Sequence, residues 1–212
     1  MDRLLPDDEL SVIRQEIEAD FAQDPDERKK RKEDRIDEIL ELLILSYMYG
    51  NEAANDMLFG SEFIESLGFD VEEPEQEEVV RTIPIEMDSM KDAIYTKVAD
   101  KNWVQRVTEY YDSDSGTADD VYRVVDTDAH RVYNDAISNV GERASEPDKP
   151  VWKTWVTMLD DRVRDTHEYL EGMRVPVDRR FYSFDGDSAR YPGDFSDPAN
   201  NCNCRCRIML GR

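Results

Sequence analysis

The residues of this 212-residue chain with the clearest chemistry are its three cysteines. All fall within one pentapeptide, Cys202-Asn203-Cys204-Arg205-Cys206. An odd count with no secretory leader ahead of it argues against a disulfide framework and for a reducing compartment, where clustered thiols more often bind metal or react. Their alternate spacing puts all three on one face if the segment is a strand. A partner imidazole lies upstream. In Asp161-Arg162-Val163-Arg164-Asp165-Thr166-His167, the positions Val163, His167 and Leu170 follow helical spacing, which turns His167 inward. Thiolates and imidazole are the donors Zn²⁺ prefers in tetrahedral sites. The candidate metal ligands are therefore His167, Cys204 and Cys206, with Cys202 or Asp161 as the fourth. The competing assignment makes the cysteines reduced packing residues and His167 a core histidine. A disulfide or a reactive thiol is the third.

Arg162 and Arg164 pair with nearby acids in the structural reading, and Arg164 with Arg205 makes an anion site in the other. A nucleophilic triad finds no support, since His167 is the one histidine after residue 150 and no Gly-x-Ser-x-Gly turn is present. Neither a Walker A nor a Gly-x-Gly-x-x-Gly pattern occurs. Hydrolytic chemistry would need His167, Asp161 or Asp194 around an open metal.

These residues need positioning elements, and the sequence splits in two. The chain carries 27 Lys+Arg against 50 Asp+Glu, a net charge of -23. Residues 151–212 hold ten of the basic and ten of the acidic residues, so residues 1–150 carry the whole imbalance. Such a surface excludes general nucleic-acid binding, which needs positive charge. No apolar stretch is long enough to cross a membrane, and the first ten residues lack the apolar core of a signal peptide.

The expected fold is a mainly α N-terminal region followed by a small α+β module. Residues 1–70 read as an acidic helical region. One helix opens at Leu5-Pro6-Asp7. A second is capped by Asp24, carries a solvated charge run over Arg28 to Arg35, and stops at Gly50-Asn51. A third runs from Glu52 to Ser66. The stripe Ile36, Ile39, Leu40, Leu43, Ile44 and Tyr47 is strong enough to form a core and to reach a partner. Residues 71–86, with Pro74 and Pro84, read as a linker or extended arm. Residues 87–145 resume helix, with Thr117 capping a segment that ends near Gly141. Pro147 and Pro150 mark a boundary. In 151–212, Val151 to Thr157 reads as a strand, Asp161 to Glu171 as a helix closed by Gly172, and Cys204 to Leu210 as a last strand.

The C-terminal module resembles the phage Mu F-like minor head proteins, the phage head morphogenesis family. The resemblance rests on Trp152-Lys153-Thr154-Trp155, Asp161-Arg162-Val163-Arg164, His167, Leu170, Gly172, Val175-Pro176, Phe181, Pro192-Gly193-Asp194 and Asn203-Cys204-Arg205-Cys206, in that order. The helix holding Val125-Asp126-Thr127-Asp128 and Tyr133-Asn134 leads into it, and the likeness covers about 120–210. Cys202 is a departure, because the family pattern needs only the last two cysteines. The resemblance implies a minor structural protein of a tailed-phage head, acting in head morphogenesis, DNA packaging or ejection. Its implied partners are the portal protein or the major capsid protein, with self-association, and its implied location is the virion after assembly in the host cytoplasm. The alternative is a metal-dependent hydrolase or an injected effector.

Overall fold

The computed structural model describes residues 7–66 and 82–212. Helices α1 (Asp7–Phe21), α2 (Pro25–Ser66), α3 (Met87–Tyr95), α4 (Trp103–Asp112) and α5 (Ala118–Ala144) precede the small module. There β1 (Trp152–Val156), α6 (Asp165–Glu168), β2 (Arg174–Pro176), β3 (Phe181–Tyr182), β4 (Ser188–Ala189), α7 (Pro198–Asn201) and β5 (Arg207–Gly211) follow. Strands β2, β1 and β5 form an antiparallel sheet in that order, with Trp155 opposite Ile208, and β3 pairs with β4. This is the expected helical region followed by a small α+β module.

Local chemistry explains most boundaries. The Asp24 carboxylate accepts from the backbone N–H groups of Asp26 and Glu27, and Pro25 fills the first turn of α2. Reciprocal caps start α4 at Asn102 with Gln105 and α5 at Thr117 with Asp120. The periodic stretch after Asp88 is two helices. Ala99 and Asp100 take positive φ of 51° and 67°, and Val98 and Lys101 exchange backbone hydrogen bonds across them.

Gly50 and Asn51 do not stop α2, which is one helix of 42 residues. A Cβ at position 50 would collide with the Tyr133 carbonyl oxygen and lie 2.9 Å from the Ala136 Cβ. Gly50 is thus a place where α2 and α5 approach closely, and helix propensity is sacrificed for packing. Residues 71–81 of the expected linker lie outside the described residues. Residues 82–86 pack down: Asn55 donates to the Ile83 carbonyl and accepts from its N–H, and Arg143 donates to the Pro84 carbonyl.

The apolar stripe of α2 is used within the chain. Ile39, Leu43 and Tyr47 are buried, and Ile36, Leu40 and Ile44 pack against them. One core cluster runs from Leu10 through α5 to Leu210. The charge run after Arg28 is only partly solvated. Arg28 is buried and donates to the carbonyls of Tyr111 and Ser113. Arg35 is buried and donates to Asp20, a fully buried carboxylate that also accepts from the Tyr111 hydroxyl at 2.8 Å. Burial and this carboxylate push the Tyr111 phenol far above its ordinary value. Asp20 so ties α1, α2 and α4 together.

Inside the module, Lys153 and Trp155 face inward from β1. Among the described residues the Lys153 ammonium has no hydrogen-bond partner, and it sits 5.5 Å from the Phe181 ring centroid. Burial pulls its pKa down from 10.5 to about 8.

Two predictions follow from this packing. Gly50→Ala should destabilise the protein by about 1–3 kcal/mol through overpacking. Gly60→Ala, whose Cβ would meet nothing closer than 4.0 Å, should instead stabilise it by up to about 1 kcal/mol. Thermal melts of both variants decide this. Between pH 8 and 10.5 the unfolded chain holds a Lys153 proton that the folded chain has released, so stability should rise with pH across that window. Lys153→Met should raise stability at pH 7 by about 1 kcal/mol or more and flatten that rise, as measured by denaturant titration at several pH values.

Candidate metal centre

His167 sits on α6, which is shorter than the pattern suggests. Asp160 explains the difference. Its side chain accepts from the Arg162 N–H and its carbonyl from the Val163 N–H, so residues 160–163 form a turn and helix begins only at Asp165. The inward placement of His167 survives, at 1% exposure. Its ring stacks on Phe195 at 5.3 Å between centroids and meets the edge of Trp155 at 5.7 Å.

The cysteines lie before β5 rather than in it. Cys202 caps α7, and Asn203 turns the chain at a φ of 54°. Cys204 and Cys206 are both buried, with Arg205 between them half-buried. The Nδ1 atom of His167 is 3.6 Å from Cys204 Sγ and 3.5 Å from Cys206 Sγ. All three donor atoms lie within 4.8 Å of one another. A tetrahedral ion with bonds of about 2.3 Å to sulfur and 2.0–2.1 Å to nitrogen would set sulfur and nitrogen about 3.5–3.6 Å apart. The buried His/Cys/Cys group therefore has the donor types and spacing to hold a metal ion.

Hydrogen bonds also link the donors. Cys204 is shifted toward thiolate, chiefly because it accepts from the Cys206 thiol, with help from Arg164 and Arg205. Cys206 moves the other way, raised by that same bond and by burial. The second ring nitrogen, Nε2, is buried without a partner, so the polar contacts of the ring are all on the sulfur side.

Cys202 and Asp161 stand outside this group. Arg164 donates to the Cys202 carbonyl. Asp161 is exposed; the neighbouring Asp160 is the acid that engages the segment, through a bidentate pair with Arg205 at 2.9 and 2.6 Å. Asp194 pairs with Arg180 and Arg190.

Residues of α5 and α7 fix the site. Asn134, fully buried, donates to the Cys206 carbonyl at 3.2 Å and accepts from the Ile208 N–H at 3.0 Å. Thr127 accepts from the Asn203 N–H. Asn201 closes a ring with Phe195 through two backbone bonds. The sequence signal for Asn134 is weak, because it stands beside Asp135 as a polar pair between Val132-Tyr133 and Ala136-Ile137. Beside the donors is a niche of about 10 Å³, room for one water, with Met158, Val163 and the guanidinium side chains of Arg162, Arg164 and Arg205 around it and no carboxylate in its lining.

The helix carrying Asn134 and the module it pins coincide with a match to the family model "Phage Mu protein F like protein" over residues 88–209. The chain belongs to this family. It is also 31% identical over 83 residues to minor head protein GP7 of Bacillus phage SPP1, covering 39% of this chain and 27% of that protein. A further relative is NAD(+)–arginine ADP-ribosyltransferase EFV of Enterococcus faecalis, 30% identical over 115 residues, covering 54% of this chain and 22% of that protein. The chain thus spans about a quarter of the length of these curated relatives. No solved structure matches it.

Asn134→Ala should leave a buried carbonyl and a buried N–H unpaired and cost about 2 kcal/mol or more. Chemical denaturation gives the loss of stability. Faster labelling of Cys206 by a thiol reagent under native conditions reports the loosened site.

Proposed function

We propose that this protein is a minor structural component of a tailed-phage head that acts in head morphogenesis, DNA packaging or ejection. The observation that carries the reading is the family match over residues 88–209, supported by the likeness to the SPP1 minor head protein. The partners in this reading are the portal protein or the major capsid protein, reached during assembly in the host cytoplasm, with the virion as the final location. The acidic N-terminal helices suit such a place, since a surface of net charge -23 is repelled by packaged DNA and attracted to basic protein patches. Among the described residues no helix is long and apolar enough to cross a membrane.

The protein is not an enzyme in this reading. The stretch shared with the ADP-ribosyltransferase is 22% of that relative. Among the described residues no carboxylate lines the niche beside His167, and Asp160 is held in a bidentate pair by Arg205. The His167, Cys204 and Cys206 group instead binds zinc as a staple between α6 and the chain entering β5, residues 37 apart for the first pair.

Mass spectrometry of purified, nuclease-treated particles should detect the protein, and its absence from both procapsids and mature heads would refute the location. Elemental analysis of the purified protein should give one zinc per chain, lost in Cys204→Ser and Cys206→Ser. Chelation should lower the melting temperature by roughly 5–10 °C; a metal-free wild type with an unchanged melt would refute the staple.

A further inference from the structure

A closed structural zinc site has four protein ligands, and this group supplies three. The nearby candidates do not complete it. Cys202 lies outside the donor group, ahead of the left-handed Asn203. Asp161 is exposed and outside the group. What borders the donors on their remaining side is the one-water niche.

A larger cavity shares part of the lining of that niche. Arg162, Arg164, Asn203 and Arg205 line both, and the cavity, of about 420 Å³, is also lined by Asp126. The three guanidiniums are differently committed. Arg205 is held by Asp160. Arg164 donates to a neutral carbonyl. Arg162 is 75% exposed and its one ion pair, to Asp160, is long at 3.9 Å. Three positive charges thus face two carboxylates, Asp126 and Asp160, on a chain that is otherwise strongly acidic. Guanidinium forks match the oxygens of carboxylates and phosphates. Zinc with two thiolates and one neutral imidazole has no net charge, so it does not repel such a ligand.

We propose that the metal at His167, Cys204 and Cys206 keeps an exchangeable fourth position that takes an oxyanion, a carboxylate or a phosphate. One oxygen occupies the niche and the others lie on Arg162 and Arg164. This rests on the zinc reading above and adds the identity of the fourth ligand. No bond to carbon or phosphorus is made or broken; a bound water leaves as the oxyanion enters.

Cobalt(II) in place of zinc in the full chain tests both levels, because its visible absorption reports the ligand set. The expected result is one cobalt per chain and a saturable spectral change on adding acetate or inorganic phosphate, the two arms separating carboxylate from phosphate. Cys202→Ser should leave the anion-free spectrum unchanged. Arg162→Ala, which removes an exposed side chain, should bind cobalt equally but weaken the anion response about twofold to fivefold. If no cobalt binds, the zinc reading itself fails. If cobalt binds, ignores both anions and changes its spectrum in Cys202→Ser, the staple stands but Cys202 is the fourth ligand and the open position is refuted. An anion response that Arg162→Ala leaves untouched would refute the arginine-lined route.

Discussion

A single buried amide holds this structure in register. Asn134 sits on the apolar face of α5 and bonds the chain on both sides of Arg207, through the carbonyl of Cys206 and the N–H of Ile208. Each of those backbone groups would otherwise be buried without a partner, a cost that exceeds the modest gain of an ordinary hydrogen bond. The placement of Ile208 fixes it against Trp155 in β1, and Trp155 forms one wall around His167. The position of Cys206 relative to the imidazole is thereby set by a helix more than seventy residues upstream. The donor group is preorganised by polar contacts from α5 and by aromatic packing from β1 and Phe195, not by its own short segment.

The same helix joins the acidic region to the module. Close approach at Gly50 puts α2 on one part of α5, and Gly141 allows Val177 and Leu210 to rest on another. The two regions distinguished by charge are consequently one packed body, and the turn at residues 145–150 separates compositions rather than cores. Arginine does much of the internal polar work. Arg28 and Arg35 serve the N-terminal helices, and Arg131 reaches from α5 to the Ala93 carbonyl while pairing with Asp128. Planar guanidiniums tolerate such burial because several donors can be satisfied at once.

Much of this was legible in the residues. Capping at Asp24 and Thr117 and the β-branched and aromatic run of β1 follow from local chemistry and periodicity, and so does the inward turn of His167. Cys204 and Cys206, by contrast, are buried ahead of β5 and not by the alternation of a strand. Features set by tertiary contact were not legible. Gly50 carries the composition of a helix stop, and only the Tyr133 carbonyl facing it gives the reason for a glycine there. Asp160 competes for the backbone and shortens α6, a choice between two local hydrogen-bond patterns that spacing does not decide. The turn at Ala99 and Asp100 lacks the glycine or asparagine that usually marks positive φ. Cys202 shares the spacing of its neighbours but stands outside the donor group, on the far side of the left-handed Asn203.

The sheet order has a consequence in time. Strand β1 is central, yet its partner β5 lies some fifty residues further along the chain, and the Leu210 N–H reaches the sulfur of Met57 across 153 positions. Contacts of such long sequence separation form slowly, because chain closure costs entropy before any packing is gained. Helices α1 and α2 reach α4 over comparable or longer spans, 91 positions for Asp20 and Tyr111 and 83 for Arg28 and Tyr111, so the docking of β5 is one of several long-range closures. Until β5 docks, one edge of β1 is open and the thiols of Cys204 and Cys206 are outside the core. The interval before docking is thus when the module is most open to mispairing and to oxidation of its thiols, and the closing of β5 ends both exposures in one step.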